Sequence, residues 1–436
     1  MLLFFACILL FAAGTFSQTF SAPGRKLYDY YGYYYRQAFR IEVSGLPLKA
    51  DTSFGLEMAC ITIHHNRVSD LKITLESPDG TSIWLTTRNG GDTGRNYIQT
   101  CFSQSGSDGY IHLARAPFTG TYQPDGQLEF LNHGENPNGS WIIYVEDLMK
   151  EEAGVVDSVS LRFGNQPART VISRGCGTGD YSMCRCANQD TTCDLLPDLV
   201  ILPFFTEHHY EEYAYDDKYY PGQLRFAATI ANLGFGPMEV VGTRQWVCGM
   251  THMDSGFICP DGTEVRQLVQ QRVYSKTGDS ISARLVNAGT MYYDNHTGHN
   301  HYHVDNWVAF RLVDSTGGQR KVIATGNKVS YCLFTTGSCY EGDGVCTFQG
   351  KTFGQTMPNY GMGVYPSCNF DKQGISVGGY DTYGLMYEGQ YLQLPRGLKN
   401  GEYWLEIEVD PDHRYLESDI ANNIFSMKVN LKKQQP

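Results

Sequence analysis

Charge is scarce in this chain, and basic charge scarcer: 18% of its 436 residues are charged, with 34 Lys and Arg against 46 Asp and Glu and a formal net charge of -12. No basic run occurs, so the clustered cations that nucleic-acid phosphates require are missing and nucleic acid is excluded as a partner. An acidic chain attracts cationic ligands instead, in a salt-dependent way. Long apolar runs are also missing beyond the first. That one, residues 2–13, is shorter than the roughly 20 residues of a membrane helix. With small residues at Gly14, Thr15 and Ser17 behind it, it reads as a signal peptide, 1–17, on a secreted chain without a membrane span. Amphipathic helical periodicity longer than a few turns is absent as well, which leaves a mostly β chain.

The length calls for two or three packed domains, and 42% hydrophobic residues exclude disorder. Of 13 cysteines, twelve remain once Cys7 leaves with the signal. An even number in an oxidising compartment favours disulfides. Two sequons, at Asn138 and Asn295, are candidate glycan sites on a secreted protein.

Five segments follow from composition. After the signal peptide, residues 18–37 form a tyrosine-rich leader, whose RKLYDYYGYYYR stretch shows no periodicity and reads as an irregular spacer. Residues 38–165 hold short alternating phrases separated by Gly, Asp, Asn and Pro, the pattern of an antiparallel sandwich. Residues 166–195 are a linker with Cys176, Cys184, Cys186 and Cys193. Its C-x7-C-x-C-x6-C spacing lacks the paired knuckles of a zinc site and favours local disulfides. From 196 to 432 β-type phrases return in a second, larger domain, with an acidic tyrosine-rich loop at 207–217.

Three stretches of the first domain, SDLKITLESPDGTSIWL (69–85), GENPNGSWIIYVED (134–147) and GVVDSVSLRFG (154–164), resemble the P/Homo B domain, the jelly-roll-like module that follows the subtilisin-like domain of proprotein convertases. Cys60 and Cys101 are its only cysteines, and a bridge between them is expected. The protease itself is missing. Ser82 in Gly80-Thr81-Ser82 lacks the downstream pattern of a catalytic serine, and too little chain remains to build that domain.

In the second domain four of the 12 histidines fall within eight residues, His296, His299, His301 and His303. On a strand, alternation would project His299, His301 and His303 from one face. Three converging imidazoles make a ligand set for copper or zinc with positions left open. A solvated histidine patch is the plainer alternative.

The phrases around them narrow the choice. GHNHYHVDNWVAFRL, GNKVSYCLFTTGSC and VGGYDTYG, in that order, together with LPDLV (196–200) and GEYWLEIEVDPDHRYLESDIANN (401–423), resemble the lysyl oxidase family across nearly the whole domain. The resemblance implies copper on His299, His301 and His303, with His296 close to the site but not a ligand. It implies lysine tyrosylquinone built from Lys328 and Tyr383, a lysine that must be desolvated to add as the free amine. It also implies calcium held by Asp198, the Leu199 carbonyl, Glu417, Asp419, Asn422 and Asn423. Asp381, two residues before Tyr383 and on the same strand face, is the candidate general base.

The implied function is a secreted protein-lysine 6-oxidase. It would deaminate peptidyl lysine of collagen-like, elastin-like or other cationic matrix proteins to an aldehyde, with dioxygen consumed and peroxide and ammonia released. The alternatives are a non-catalytic extracellular metal-binding or matrix protein, and a protease-associated P-domain protein. Two departures stand out, because animal members carry cysteines where this chain has Gly298 and Gly379. The disulfide framework is therefore expected to differ, with Cys332 joined to Cys339 and Cys248 to Cys259.

Overall fold

The computed structural model describes residues 17–32, 35–168, 176, 181–296, 298–315, 318–326 and 329–434. The signal-peptide segment up to residue 16, Thr297 of the second sequon and Lys328 lie outside these.

Alternation drives the first domain. In β2, Gln37–Val43, every second side chain is buried (Gln37, Phe39, Ile41, Val43), and such a half-apolar strand needs a second sheet to cover it. One sheet orders β2, β8 (Gly139–Asp147), β4 (Leu71–Glu76) and β5 (Ser82–Thr87). The other orders β1 (Ser17–Leu27), β9 (Gly154–Gly164), β3 (Gly55–His65), β6 (Tyr97–Phe102) and β7 (Thr121–Tyr122). Ile41, Ile73 and Ile143 of the first sheet share one core with Ile61, Leu161 and Phe163 of the second, which is the expected sandwich. Cys60 lies directly opposite Cys101 and is bonded to it.

One expectation changes here. The leader is not irregular throughout: β1 pairs antiparallel with β9, Gln18 opposite Phe163 and Leu27 opposite Gly154. Pro23 and Gly24 hide the strand signal in the sequence, yet an edge strand tolerates both, and Phe20 anchors it edge-on to Phe163 at 6.0 Å. Residues 28–31 do lack regular structure. Asn138 of the first sequon clamps the chain, its Nδ2 donating to Leu46 O at 3.0 Å and its Oδ1 accepting from Leu46 N at 2.9 Å.

The linker is stapled locally as expected, Cys176 to Cys184 and Cys186 to Cys193. Its last residues, Thr192–Leu195, already pair with the strand Arg266–Thr277 of the second domain. There the main sheet runs Met238–Cys248, Arg266–Thr277, Ser280–Asp294, His301–Asp314, Gly401–Val409 and Ile424–Leu431. A smaller sheet places Leu199–Ile201, Ala228–Asn232, Gly379–Tyr383 and Gly337–Ser338 side by side. Trp307, Phe310, Phe226, Leu405 and Ile407 fill the core. Among the described residues the one α-helix is Pro203–His208, so the fold class is mostly β as expected.

Cys248 pairs with Cys259 as expected, but Cys332 pairs with Cys368 and Cys339 with Cys346. The segment between Cys332 and Cys339 does not close into a loop, because its backbone bonds outward. Thr335 N donates to Tyr365 O at 2.9 Å and Thr336 N to Tyr380 O at 2.9 Å. Peptide mapping of the unreduced protein by mass spectrometry should recover 332 linked to 368 and 339 linked to 346. A recovered 332–339 link would contradict this framework.

Candidate metal centre

The strands Ser280–Asp294 and His301–Asp314 run antiparallel, with Asp294 opposite His301 and Tyr292 opposite His303. The turn between them decides where the histidines go. A fully extended triplet would spread three side chains over about 13 Å, four residues at a rise of about 3.3 Å each, too far for one ion. His299 is not on the strand: Gly298 (φ 88°) and Asn300 (φ 52°) are both left-handed, and His299 N donates to His296 O at 3.0 Å. This folds His299 back over the strand. Its Nδ1 lies 3.1 Å from His303 Nε2, which is 2.9 Å from His301 Nε2. The expected single-strand projection is therefore corrected, while the convergence of the three rings is as expected.

Two nitrogens at right angles about an ion, each bonded at about 2.0–2.1 Å, stand about 2.9 Å apart. The spacing fits one bound ion, and imidazole suits copper or zinc. The outward nitrogens face carboxylates, as ligand histidines require for orientation. His303 Nδ1 is 3.4 Å from Asp294 Oδ2, and His299 Nε2 is 3.3 Å from Glu388 Oε2. His296 sits on Asp294 Oδ1 at 2.6 Å, beside the set and outside it. Burial, then the neighbouring His299, pushes His303 down to about 3. Burial likewise takes His301 well below the usual imidazole value, with His303 and Lys72 adding to it. Burial works to raise Asp294, but His299, the His296 N–H and His303 more than offset it and keep its carboxylate ionised.

Tyr383 and Asp381 lie on the strand Gly379–Tyr383, opposite Ala228 and Ile230. The Tyr383 hydroxyl donates to Cys332 O at 2.9 Å and accepts from Cys332 N at 2.8 Å. Tyr331 stacks on its ring at 3.6 Å and 12°, and Tyr387 meets it edge-on at 5.5 Å. Cys332 links the two clusters, since its sulfur lies within 4.8 Å of a His301 nitrogen. Lys328 is outside the described residues, but its neighbours Gly326 and Val329 line a cavity of about 330 Å³ together with His299, His303, Asp294 and Glu388. Tyr383 is buried and is not among the residues lining that cavity. Asp381 is fully buried with both carboxylate oxygens unpartnered. Burial pushes its carboxyl well above the usual range, against a smaller lowering by the Phe334 backbone N–H.

The candidate calcium residues also meet. Leu199 N donates to Glu417 Oε2 at 2.8 Å, Asn423 Nδ2 to Glu417 Oε1 at 2.9 Å, and Asn422 Nδ2 to Asp198 Oδ1 at 2.9 Å. The Oδ1 atoms of Asn422 and Asn423 are buried without a partner. Burial pushes Glu417 up to about 8 and also raises Asp198, with Asp419 adding to the latter. Buried acids and orphaned amide oxygens without a counter-charge suit a hard cation. Asp419 itself is exposed and caps Ala421 N at 2.8 Å.

Several neighbours of the histidines were not found by sequence reasoning. Asp294 and Glu388 left a faint signal as acids close to the motifs. Lys72, Trp84 and Leu148 left none, since they belong to the other domain. Lys72 Nζ donates to Gly298 O at 2.6 Å across 226 residues, and the Trp84 ring lies 6.1 Å from His301 and 4.8 Å from Phe334. A second cavity of about 230 Å³ opens there, lined by Arg36, Lys72 and Trp84 on one side and His299, His301 and Cys368 on the other. The two glycines that replace family cysteines are explained by packing. A Cβ on Gly298 would lie 2.9 Å from Leu148 Cδ1, and one on Gly379 2.7 Å from Thr335 Cγ2.

A histidine-ligand centre on a β scaffold, with a stacked tyrosine and a buried carboxyl beside it, is the class of protein these features define. Residues 264–435 match the family model of lysyl oxidase and residues 58–163 that of the proprotein convertase P-domain. It is 32% identical over 130 residues to protein-lysine 6-oxidase of Homo sapiens, covering 30% of this chain and 26% of that one. Against protein-lysine 6-oxidase of Sus scrofa it is 30% identical over 135 residues, 31% of this chain and 45% of that one. Lysyl oxidase homolog 1 of Homo sapiens is 30% identical over 135 residues, 31% and 20%. The chain thus spans less than half the length of these relatives. A solved complex of Aeromonas sobria serine protease with its chaperone aligns at 18% identity and a TM-score of 0.19, covering 34% of this chain and 27% of that one, and carries no argument.

Replacing His301 with Ala removes one of the three nitrogens. The full chain should keep its melting temperature within a few degrees while losing copper in equilibrium dialysis. One copper retained per chain would remove His301 from the ligand set.

Proposed function

We propose that this chain is a secreted, copper-dependent amine oxidase that acts on lysine side chains of extracellular proteins, collagen-like, elastin-like or other. The observation that carries the reading is the convergence of three imidazole nitrogens at 2.9 and 3.1 Å beside an acidic cavity flanked by the neighbours of Lys328. His299, His301 and His303 would hold copper, and Tyr383 with Lys328 would form lysine tyrosylquinone. Together these groups would supply the electron sink for converting a primary amine, dioxygen and water to an aldehyde, ammonia and hydrogen peroxide.

The chain's own residues divide the remaining work. Asp294 and Glu388 give the cavity its negative field, which draws the lysine ammonium toward the histidines. Asp294 also orients His303 through its outward Nδ1, and Glu388 orients His299 through its outward Nε2. Cys332 fixes the Tyr383 ring through its backbone N–H and C=O, and Tyr331 holds the ring plane by stacking. Asp381, two residues before Tyr383 on the same strand, is assigned the general base that takes the proton from the substrate carbon, its burial raising the basicity of the carboxylate. Asp198, Glu417, Asn422 and Asn423, with the Leu199 carbonyl and Asp419, would hold calcium and tie the segment that opens the domain to the one near its end. Secretion accords with the disulfides, and among the described residues no helix is long and apolar enough to cross a membrane.

Purified, copper-loaded protein should release peroxide with pentane-1,5-diamine and stain for quinone, and both signals should vanish in Lys328→Arg and in Tyr383→Phe. Amine-dependent peroxide from Lys328→Arg would defeat the cofactor assignment. A copper-replete parent with neither signal would leave a non-catalytic metal-binding protein as the better reading. For the second site, EGTA should lower the melting temperature by roughly 5–10 °C, the loss expected for a cation held at about a hundred times its Kd. Glu417→Gln should show no such response. A melting temperature indifferent to EGTA in the parent would count against calcium.

A further inference from the structure

Three side chains of the P-domain converge on the histidine turn. Lys72, buried on β4, donates to the Gly298 carbonyl at 2.6 Å and stands 4.8 Å from the Trp84 ring. Trp84, on β5, faces His301 and Phe334. Leu148, just beyond β8, packs against the bare Cα of Gly298. Gly298 is held from both directions: its carbonyl is bonded, its left-handed φ of 88° strains any side chain, and a Cβ would also push the Leu148 Cδ1 methyl, 2.9 Å away, aside.

A buried ammonium is costly, and an apolar residue would fill the same space more cheaply. Glu146, opposite Lys72 in the sheet, and the Trp84 face offset part of that cost. What only the ammonium adds is the bond to the turn. Elsewhere the same interface is held by neutral groups, Gln127 Nε2 to Thr335 O at 3.0 Å and Ser338 Oγ to Gln127 Oε1 at 2.8 Å.

We propose that Lys72, backed by Trp84 and Leu148, is a positioning residue for the metal centre, so that the P-domain is a structural part of the histidine site. The bond fixes the turn 298–300, whose two left-handed residues aim His299 at His303. The interdomain cavity carries Lys72 and Arg36 with Glu146 between them, whereas the opposite cavity carries the carboxylates of Asp294 and Glu388 and is the one suited to a substrate's lysine ammonium. The inference rests on reading the three histidines as a metal site.

The test uses the full chain and copper(II) alone. In Lys72→Met, copper affinity against a competing chelator should fall roughly 10–100-fold, the range seen when groups behind metal ligands are removed. The electron paramagnetic resonance signal should shift from that of the parent, with the copper-free melting temperature little changed. Gln127→Ala, elsewhere on the interface, should bind copper as the parent does. If Lys72→Met fails to fold, Leu148→Ala reads the same contact and should also weaken copper and alter the signal. Parental affinity and signal in Lys72→Met, or in Leu148→Ala where that variant stands in, overturn the proposal. A parent that binds no copper sinks the metal reading itself.

Discussion

Three imidazoles held about 3 Å apart cannot all be charged, and the surroundings of the histidine turn follow from that constraint. Burial and mutual repulsion keep His301 and His303 neutral, which is the form that binds a metal. Acids stand behind the rings on one side, Asp294 and Glu388, and a cation stands on the other, Lys72. The acids orient and attract; the cation bonds only to backbone. Carboxylates thus stand on one side of the histidine cluster and the Lys72 amine on the other.

The backbone supplies the same economy of means. Two left-handed residues turn a chain that would otherwise run straight, and the cross-strand register from Asp294 to His301 fixes where it turns. Tyr383 is reached from the same place through Cys332, whose backbone holds the phenol while its sulfur borders His301. The histidine cluster and the aromatic cluster therefore both border one residue, Cys332.

Much of this was legible in the sequence. Period-two alternation gave two β domains, because one face of each sheet is buried and side-chain direction follows residue parity. Three histidines at alternate positions announced a ligand set, since few structural roles need so many. What was hidden depended on contacts between distant segments. Strand β1 was masked by Pro23 and Gly24, which only its edge position makes harmless. The partner of Cys332 is set by where residues 333–338 bond, which spacing cannot reveal. The one-strand arrangement of the histidines failed at Asn300, a residue type able to adopt a left-handed conformation without announcing that it does. Gly298 looked like a lost cysteine until Leu148 was seen against it.

The shared wall at Trp84 bears on what counts as the smallest working unit. Cut the chain at the linker, and Phe334, His301 and Tyr387 lose the aromatic surface that covers them, while Gly298 loses both its hydrogen bond and its packing. A fragment starting at the second domain would present its histidines to bulk water on a turn free to relax. Domain dissection, the ordinary route to assigning activity in a two-module chain, would in this protein report on a different molecule.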